Sequence, residues 1–139
     1  MARDIVSTCV DERYPEVLPV ITAMTGVDPL RYHHIPAFGC SRGLDHEFEL
    51  YELVINELKA TRVSIYDHLQ CRAFRRRFGD LKADEERDYH VDQLLERARQ
   101  LRERYPDLEV RLFLLTDVTE ERIGTELMEV SERGLVAIA

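Results

Sequence analysis

The sequence has few cysteines and lacks the spacings that would give them a common role. The three cysteines, at positions 9, 40 and 71, are too few for a disulfide framework, and their odd number means that not all of them can pair. No two of them form a CxxC pair, which excludes a thioredoxin-like redox site. Six residues after Cys9 the chain has Pro15, where an anion-binding phosphatase loop needs arginine. Each cysteine is therefore either a buried small hydrophobe, a metal ligand or a catalytic thiol.

Long apolar runs and an excess of positive charge are also missing. No apolar run reaches the ~18 residues that span a bilayer, and the N-terminal MARDIVST has no apolar signal core. We therefore expect a cytoplasmic protein. A net charge of -8 argues against nucleic acid and anionic membranes as partners. The 139 residues suffice for a single core, and we predict one domain over residues 1–139.

Apolar runs do alternate regularly with amphipathic stretches, and this indicates an α/β fold with a parallel-core sheet flanked by helices. The tail predicts either a hairpin around Arg133-Gly134 or one added antiparallel edge strand. Because the longest helix is rich in charge, we expect its histidine, His90, to be solvated. The patterns predict strands at 4–9, 31–38, 62–68 and 109–118, and helices at 12–26, 43–60, 69–79 and 84–106.

Candidate metal ligands lie where two predicted strands end. Cys9 ends the first strand, His68 ends the third, and Cys71 follows three residues later at the start of a short helix. Since the carboxyl ends of parallel strands share one edge of a sheet, we expect the three side chains at the same edge. Two thiolates and an imidazole suit Zn²⁺ and leave a fourth position for water or a carboxylate. The spacing therefore predicts a zinc site.

Two short motifs carry a resemblance to a known family. The stretch CVDER at residues 9–13 and the stretch HLQC at residues 68–71 resemble the C-x-D-x-R … H-x-x-C signature of the β-class carbonic anhydrases. The resemblance extends from about residue 4 to residue 118 and includes the order of strands and helices. It implies that family's fold, with a Zn²⁺ cofactor held by Cys9, His68 and Cys71.

The resemblance also implies an activity, the reversible hydration of CO2 to bicarbonate by zinc-bound hydroxide. By this resemblance Asp11 and Arg13 form the catalytic dyad. Asp11 would accept a hydrogen bond from the hydroxide and direct its lone pair at CO2, while Arg13 would keep Asp11 ionised and oriented. Alternatively, Asp11 would move onto the zinc, as in the family's inactive states. Active sites of this family lie at a dimer interface, so a homodimer or a dimer of dimers is expected.

The chain departs from the family pattern around the second motif. The family has G-H-x-x-C-G, whereas Asp67 and Arg72 stand here in place of the two glycines. Arg72 would bring a second cation to the pocket, where it either narrows the pocket or binds an anion. The loop at 36–43 also differs from the family. Its Cys40 is either a packed small side chain, a pocket thiol or a further metal ligand.

These departures leave three functions open. The first is a carbonic anhydrase with CO2 and bicarbonate as its small-molecule substrates. The second is a zinc hydrolase that acts on another small linear molecule, such as carbonyl sulfide or carbon disulfide. The third is a catalytically silent zinc-binding relative that binds an anion or a protein partner.

Overall fold

The structure, a computed structural model, describes residues 3–9, 11, 13–37 and 48–138. These residues form six strands and four α-helices, and the second helix continues into a π-helical turn at Leu53–Glu57. The strands are β1 (Asp4–Cys9), β2 (His33–Ala37), β3 (Arg62–His68), β4 (Glu109–Leu115), β5 (Leu127–Ser131) and β6 (Gly134–Ile138). The helices are α1 (Tyr14–Met24), α2 (Phe48–Glu52), α3 (Arg72–Phe78) and α4 (Ala83–Arg104).

The six strands form one mixed sheet in the order β2-β1-β3-β4-β5-β6. Strands β1 to β4 are parallel to one another, whereas β5 and β6 are antiparallel additions. Gly134 begins β6 with φ at 117°, a value that favours glycine, and so allows the tight turn after Ser131. The predicted parallel-core α/β fold is confirmed, and the tail forms the hairpin around Arg133-Gly134.

Apolar side chains cover both faces of the sheet, because successive residues of a strand point to opposite faces. Strands β1 and β3 are buried along their whole length, so polar residues such as Asp4 and Arg62 are buried with them and form an ion pair. One face packs against α4 and the other against α1. The α4 face includes Ile5, Val63, Ile65, Leu112, Leu94, Ala98 and Leu101, and the α1 face includes Val6, Tyr66, Phe113, Val17 and Ile21.

The bounds of several elements differ from those predicted, for local reasons. Helix α1 starts at Tyr14, with proline in its first turn, and ends before Gly26, whose φ is 74°. Strand β4 ends at Leu115 rather than at residue 118, because the chain turns back and Val118 pairs with Ile123. Of the helix predicted at 43–60, residues 43–47 lie outside the described part of the chain.

The parallel topology places the ends of β1, β3 and β4 at one edge of the sheet. The described residues that follow these strands, namely Asp11 and Arg13, residues 69–72 and residues 116–126, therefore meet there. Among the residues that the structure describes, no helix combines the length and the apolar character needed to cross a bilayer.

Candidate metal centre

Three buried side chains converge at this edge of the sheet. The Sγ atoms of Cys9 and Cys71 are 3.7 Å apart. One possible ligand atom from each of Cys9, His68 and Cys71 lies within 4.8 Å of the other two. All three residues are at most 4% exposed. The structure thus brings together the cysteines and the histidine that the sequence placed at one edge.

The turn between His68 and Cys71 gives this cluster its shape. Its first amide, the N–H of Leu69, donates to the carbonyl of Leu115 at 3.0 Å, which ties the turn to the end of β4. Gln70 then adopts φ 55°, in the left-handed region that side chains other than glycine rarely occupy. Its Nε2 donates to the carbonyl of Val118 at 2.7 Å. Cys71 follows directly and precedes α3.

The donor atoms fit a zinc ion. The Nδ1 of His68 lies 2.7 Å from the carbonyl oxygen of Leu69, which can only accept a hydrogen bond, so Nδ1 carries the proton. The Nε2 of His68 is therefore the atom with the free lone pair, and it is buried without a hydrogen-bond partner. An unpaired buried acceptor costs free energy. A metal ion bound by this nitrogen and the two sulfur atoms would satisfy it.

Asp11 and Arg13 form a bidentate ion pair beside the cluster. Arg13 Nε donates to Asp11 Oδ1 at 2.8 Å, and Nη2 donates to Oδ2 at 2.7 Å. The backbone N–H of Arg13 also donates to Oδ1, at 2.9 Å. These hydrogen bonds hold the pKa of Asp11 below its usual value although burial opposes them. Oδ2 of the ionised carboxylate lies 3.7 Å from His68 Nε2.

The loop after β4 is tied to the site because three of its consecutive carbonyl groups accept hydrogen bonds from the side chains of Arg13, Gln70 and Arg72. Arg13 Nη1 donates to the carbonyl of Thr119 at 2.7 Å, and Gln70 Nε2 donates to the carbonyl of Val118, the residue before Thr119. Arg72, which we expected near the metal, is exposed and donates from Nη2 to the carbonyl of Glu120 at 2.8 Å. The other expected pocket residue, Cys40, lies outside the described residues.

The prediction that His90 is solvated is wrong. His90 is 1% exposed, and its ring lies between two carboxylates. Nδ1 is 3.2 Å from Asp67 Oδ2, and Nε2 is 3.0 Å from Glu86 Oε2. Burial lowers the pKa of His90, but the hydrogen bonds and charges of the two carboxylates raise it to about 9. His90 is therefore an imidazolium at neutral pH.

The composition of α4 explains why His90 was predicted to be solvated, whereas the spacing of its residues contains a signal that His90 is buried. The stretch that holds Glu86 and His90 is almost entirely charged or polar, which is typical of a solvated face. However, positions 86, 90, 94, 98 and 101 recur at helical spacing, and the last three hold Leu, Ala and Leu of the core. The two polar residues therefore continue the buried stripe of the helix.

Comparisons with known proteins agree on the class of fold, a mixed α/β sheet flanked by helices. No protein-family model and no curated protein matches the sequence. Solved structures do match: β-carbonic anhydrase isoform I of the protozoan Trichomonas vaginalis has a TM-score of 0.58 at 15% identity, over 92% of this chain and 81% of that one.

Two proteins of the fungus Aspergillus fumigatus give the same result. The β-carbonic anhydrase CafD has a TM-score of 0.57 at 14% identity, over 84% of each chain. The β-carbonic anhydrase CafA has a TM-score of 0.51 at 15% identity, over 94% of this chain and 76% of that one. The chain has a divergent form of the β-carbonic anhydrase fold, so the resemblance read from the sequence is confirmed at the level of the fold.

Proposed function

We propose that this protein is a zinc-dependent carbonic anhydrase that catalyses the reversible hydration of CO2 to bicarbonate. The observation that carries the proposal is the position of the Asp11 carboxylate. It is ionised, held by Arg13, and lies 3.7 Å from the unpaired Nε2 of His68 in the Cys-His-Cys cluster. A zinc site with a purely structural role has no need of such a pair. The fold shared with β-carbonic anhydrases adds support.

In this proposal Cys9, His68 and Cys71 hold the zinc ion. When bound, zinc supplies a water molecule whose pKa is about 7, so that a nucleophile is available at neutral pH. Asp11 Oδ2 lies 3.7 Å from His68 Nε2, next to the three ligands. We propose that Asp11 would contact the water molecule that the bound ion would hold.

The task of the dyad is orientation. Asp11 accepts a hydrogen bond from the attacking oxygen and so directs its free lone pair toward the carbon of CO2. Arg13 keeps Asp11 ionised and prevents its rotation, because three N–H groups of Arg13 bind the one carboxylate. Addition of the oxygen forms bicarbonate, and one proton leaves to solvent in each turnover.

Stopped-flow measurement of CO2 hydration with a pH indicator tests the proposal, with zinc content measured on the same samples. We expect about one zinc per chain and rapid hydration. In Asp11→Asn we expect unchanged zinc content and a loss of activity of about 100-fold or more, because the amide cannot orient the nucleophile in the same way. The control is Asp92→Asn, which removes one charge from an exposed position of α4. Full activity in Asp11→Asn would contradict the role of the dyad.

The same samples separate the remaining functions. Zinc at one per chain without CO2 hydration would require assays with carbonyl sulfide and carbon disulfide, since the same attack serves these linear molecules. Zinc binding without any of these activities would indicate a silent relative that binds an anion or a protein. Failure of the protein to take up zinc would contradict the proposed function.

A further inference from the structure

One carboxylate outside the ligand set holds the turn that carries the ligands. Glu86, on α4, is 4% exposed and reaches across to the segment between β3 and α3. Its Oε1 accepts the N–H of Gln70 at 3.0 Å, and its Oε2 accepts the N–H of Cys71 at 3.2 Å. These are consecutive amides, and the second belongs to a proposed zinc ligand. Glu86 therefore holds the backbone at the point where Cys71 is placed.

The turn needs such a restraint because its conformation is unfavourable by itself. Gln70 has φ 55°, a conformation that costs free energy for a residue with a side chain. Without partners, the turn would relax toward commoner backbone angles. Such a relaxation would move Cys71 relative to His68, which ends β3 and is fixed by the sheet. The distance between the two ligands therefore depends on the bonds that hold the turn.

Glu86 is itself held in place by the charged groups of His90 and Asp67. The imidazolium of His90 contacts Glu86 through Nε2 and Asp67 through Nδ1. Asp67 directly precedes His68, one of the proposed ligands, in β3. A series of contacts therefore links Asp67 through His90 and Glu86 of α4 to the backbone N–H of Cys71, another proposed ligand. The ring of Phe74, from α3, covers His90 at 4.5 Å between centroids. The one positive charge lies between two buried carboxylates, which would otherwise be costly to bury.

We propose that Glu86, clamped by His90 and Asp67, is a positioning residue for the metal centre and holds the turn from His68 to Cys71 in the conformation that binds zinc. The inference rests on the proposed zinc site. Glu86 does not contact the ion, and it acts only through the amides of Gln70 and Cys71. The cluster of Asp67, His90 and Glu86 thus stabilises a turn that has Asp67 and Arg72 at the two positions where the family pattern has glycine.

The substitution Glu86→Gln tests this proposal because geometry and charge predict different results. Loss of the charge alone would leave the hydrogen bonds of the Gln70 and Cys71 amides in place and their hydrogen exchange unchanged. Glutamine has only one acceptor oxygen, and it cannot accept both amides as the carboxylate does. Positioning therefore predicts weaker binding of zinc.

The experiment measures the Zn²⁺ dissociation constant by competition with a chelator, together with hydrogen exchange of the Gln70 and Cys71 amides. For Glu86→Gln we expect zinc binding at least about tenfold weaker and faster exchange of both amides. Asp92→Asn, on the exposed face of the same helix, is the control and should match wild type. Unfolding of the zinc-free proteins in urea shows whether stability alone has changed.

A second variant, His90→Gln, keeps Glu86 but removes its charged clamp, and it serves if Glu86→Gln does not fold. We expect a smaller loss of zinc affinity than in Glu86→Gln. In the double variant the two losses should not add, because both residues act on the same turn. Wild-type affinity in these variants would overturn the inference and leave the proposed function standing. If wild-type protein binds no zinc, the proposed function and this inference both fail.

Discussion

Among single residues, Arg13 connects several parts of the site. Its guanidinium binds both oxygens of Asp11 and also donates to the carbonyls of Thr119 and Gln70. Its side chain is only 2% exposed. One residue therefore orients the carboxylate and joins the loop and the turn around it. A cation of another shape cannot make these contacts at once.

We therefore expect Arg13→Lys to be damaging although it keeps the charge. Lysine cannot reproduce the bidentate pair, so buried acceptors lose their donors and the free energy of unfolding should fall by about 2 kcal/mol. Urea denaturation measures this, and the CO2 assay should show a parallel loss. Arg72→Lys, at an exposed position, is the matched control and should change stability by less than about 0.5 kcal/mol. Equal effects of the two substitutions would contradict the central role of Arg13.

The imidazolium of His90 makes a prediction about stability and pH. The groups that face it are Asp67 from β3, Glu86 from α4 and the ring of Phe74 from α3. Its pKa is raised from 6.5 to about 9, so its stabilising contribution is complete below pH 6.5 and disappears as the pH rises through about 9. The shift corresponds to a contribution on the order of 3 kcal/mol.

Comparison of wild type with His90→Gln isolates this contribution from other groups that titrate at high pH. We expect wild type to be the more stable protein at pH 6.5, and the difference in unfolding free energy should shrink between pH 7 and pH 10. Urea denaturation at each pH measures it. A difference that stays constant over this range would mean that His90 is not charged in the folded protein.

At the scale of elements, the turn from β3 to α3 contains a residue with strained backbone angles whose side chain is held by a hydrogen bond. Gln70 has φ 55° and donates to the carbonyl of Val118. Gln70→Ala loses that hydrogen bond but keeps the strain, whereas Gln70→Gly loses the bond and relieves the strain. We expect the glycine variant to be more stable than the alanine variant by about 1 kcal/mol in urea denaturation. The opposite order, which is usual at positions with negative φ, would show that the turn is relaxed.

The elements also show how far the sequence predicts the fold. The bounds of β1 and β3 agree with those predicted because their apolar and β-branched residues mark both strands, although polar residues are buried among them. The end of β4 was predicted three residues too late, since Val118 is apolar but belongs to the loop that turns back. Local composition identifies the strand, whereas the position of its end depends on the contacts of the loop.

At the scale of the whole molecule, the proposed zinc ion would connect segments far apart in the sequence. Cys9 ends β1, whereas His68 and Cys71 lie about half the chain away, at the end of β3 and after it. A metal that binds only the folded protein stabilises it by mass action. At a free zinc concentration 1,000 times the dissociation constant, this amounts to about 4 kcal/mol.

We therefore expect removal of zinc with a chelator to lower the midpoint of thermal unfolding by about 10 °C or more, and added zinc to restore it. Calorimetry measures both changes. Cys71→Ser, which lacks one ligand, should show a much smaller response to added zinc. The same response in wild type and in Cys71→Ser would mean that zinc binds elsewhere or at the protein surface.

By itself the sequence determined the order of strands and helices, because apolar periodicity is local. It also placed Cys9, His68 and Cys71 at one edge, since parallel strands end on the same side of a sheet. Only the tertiary structure decided which groups compensate the buried charges of Glu86 and His90. Their partners lie 16 and 23 positions away, at Gln70 and Asp67, and without them the burial of these charges would be too costly. Glu86 and His90 face each other on one helix, but the carboxylate of Asp67 and the amides that Glu86 accepts come from another segment, which a pattern of charge along one helix cannot reveal.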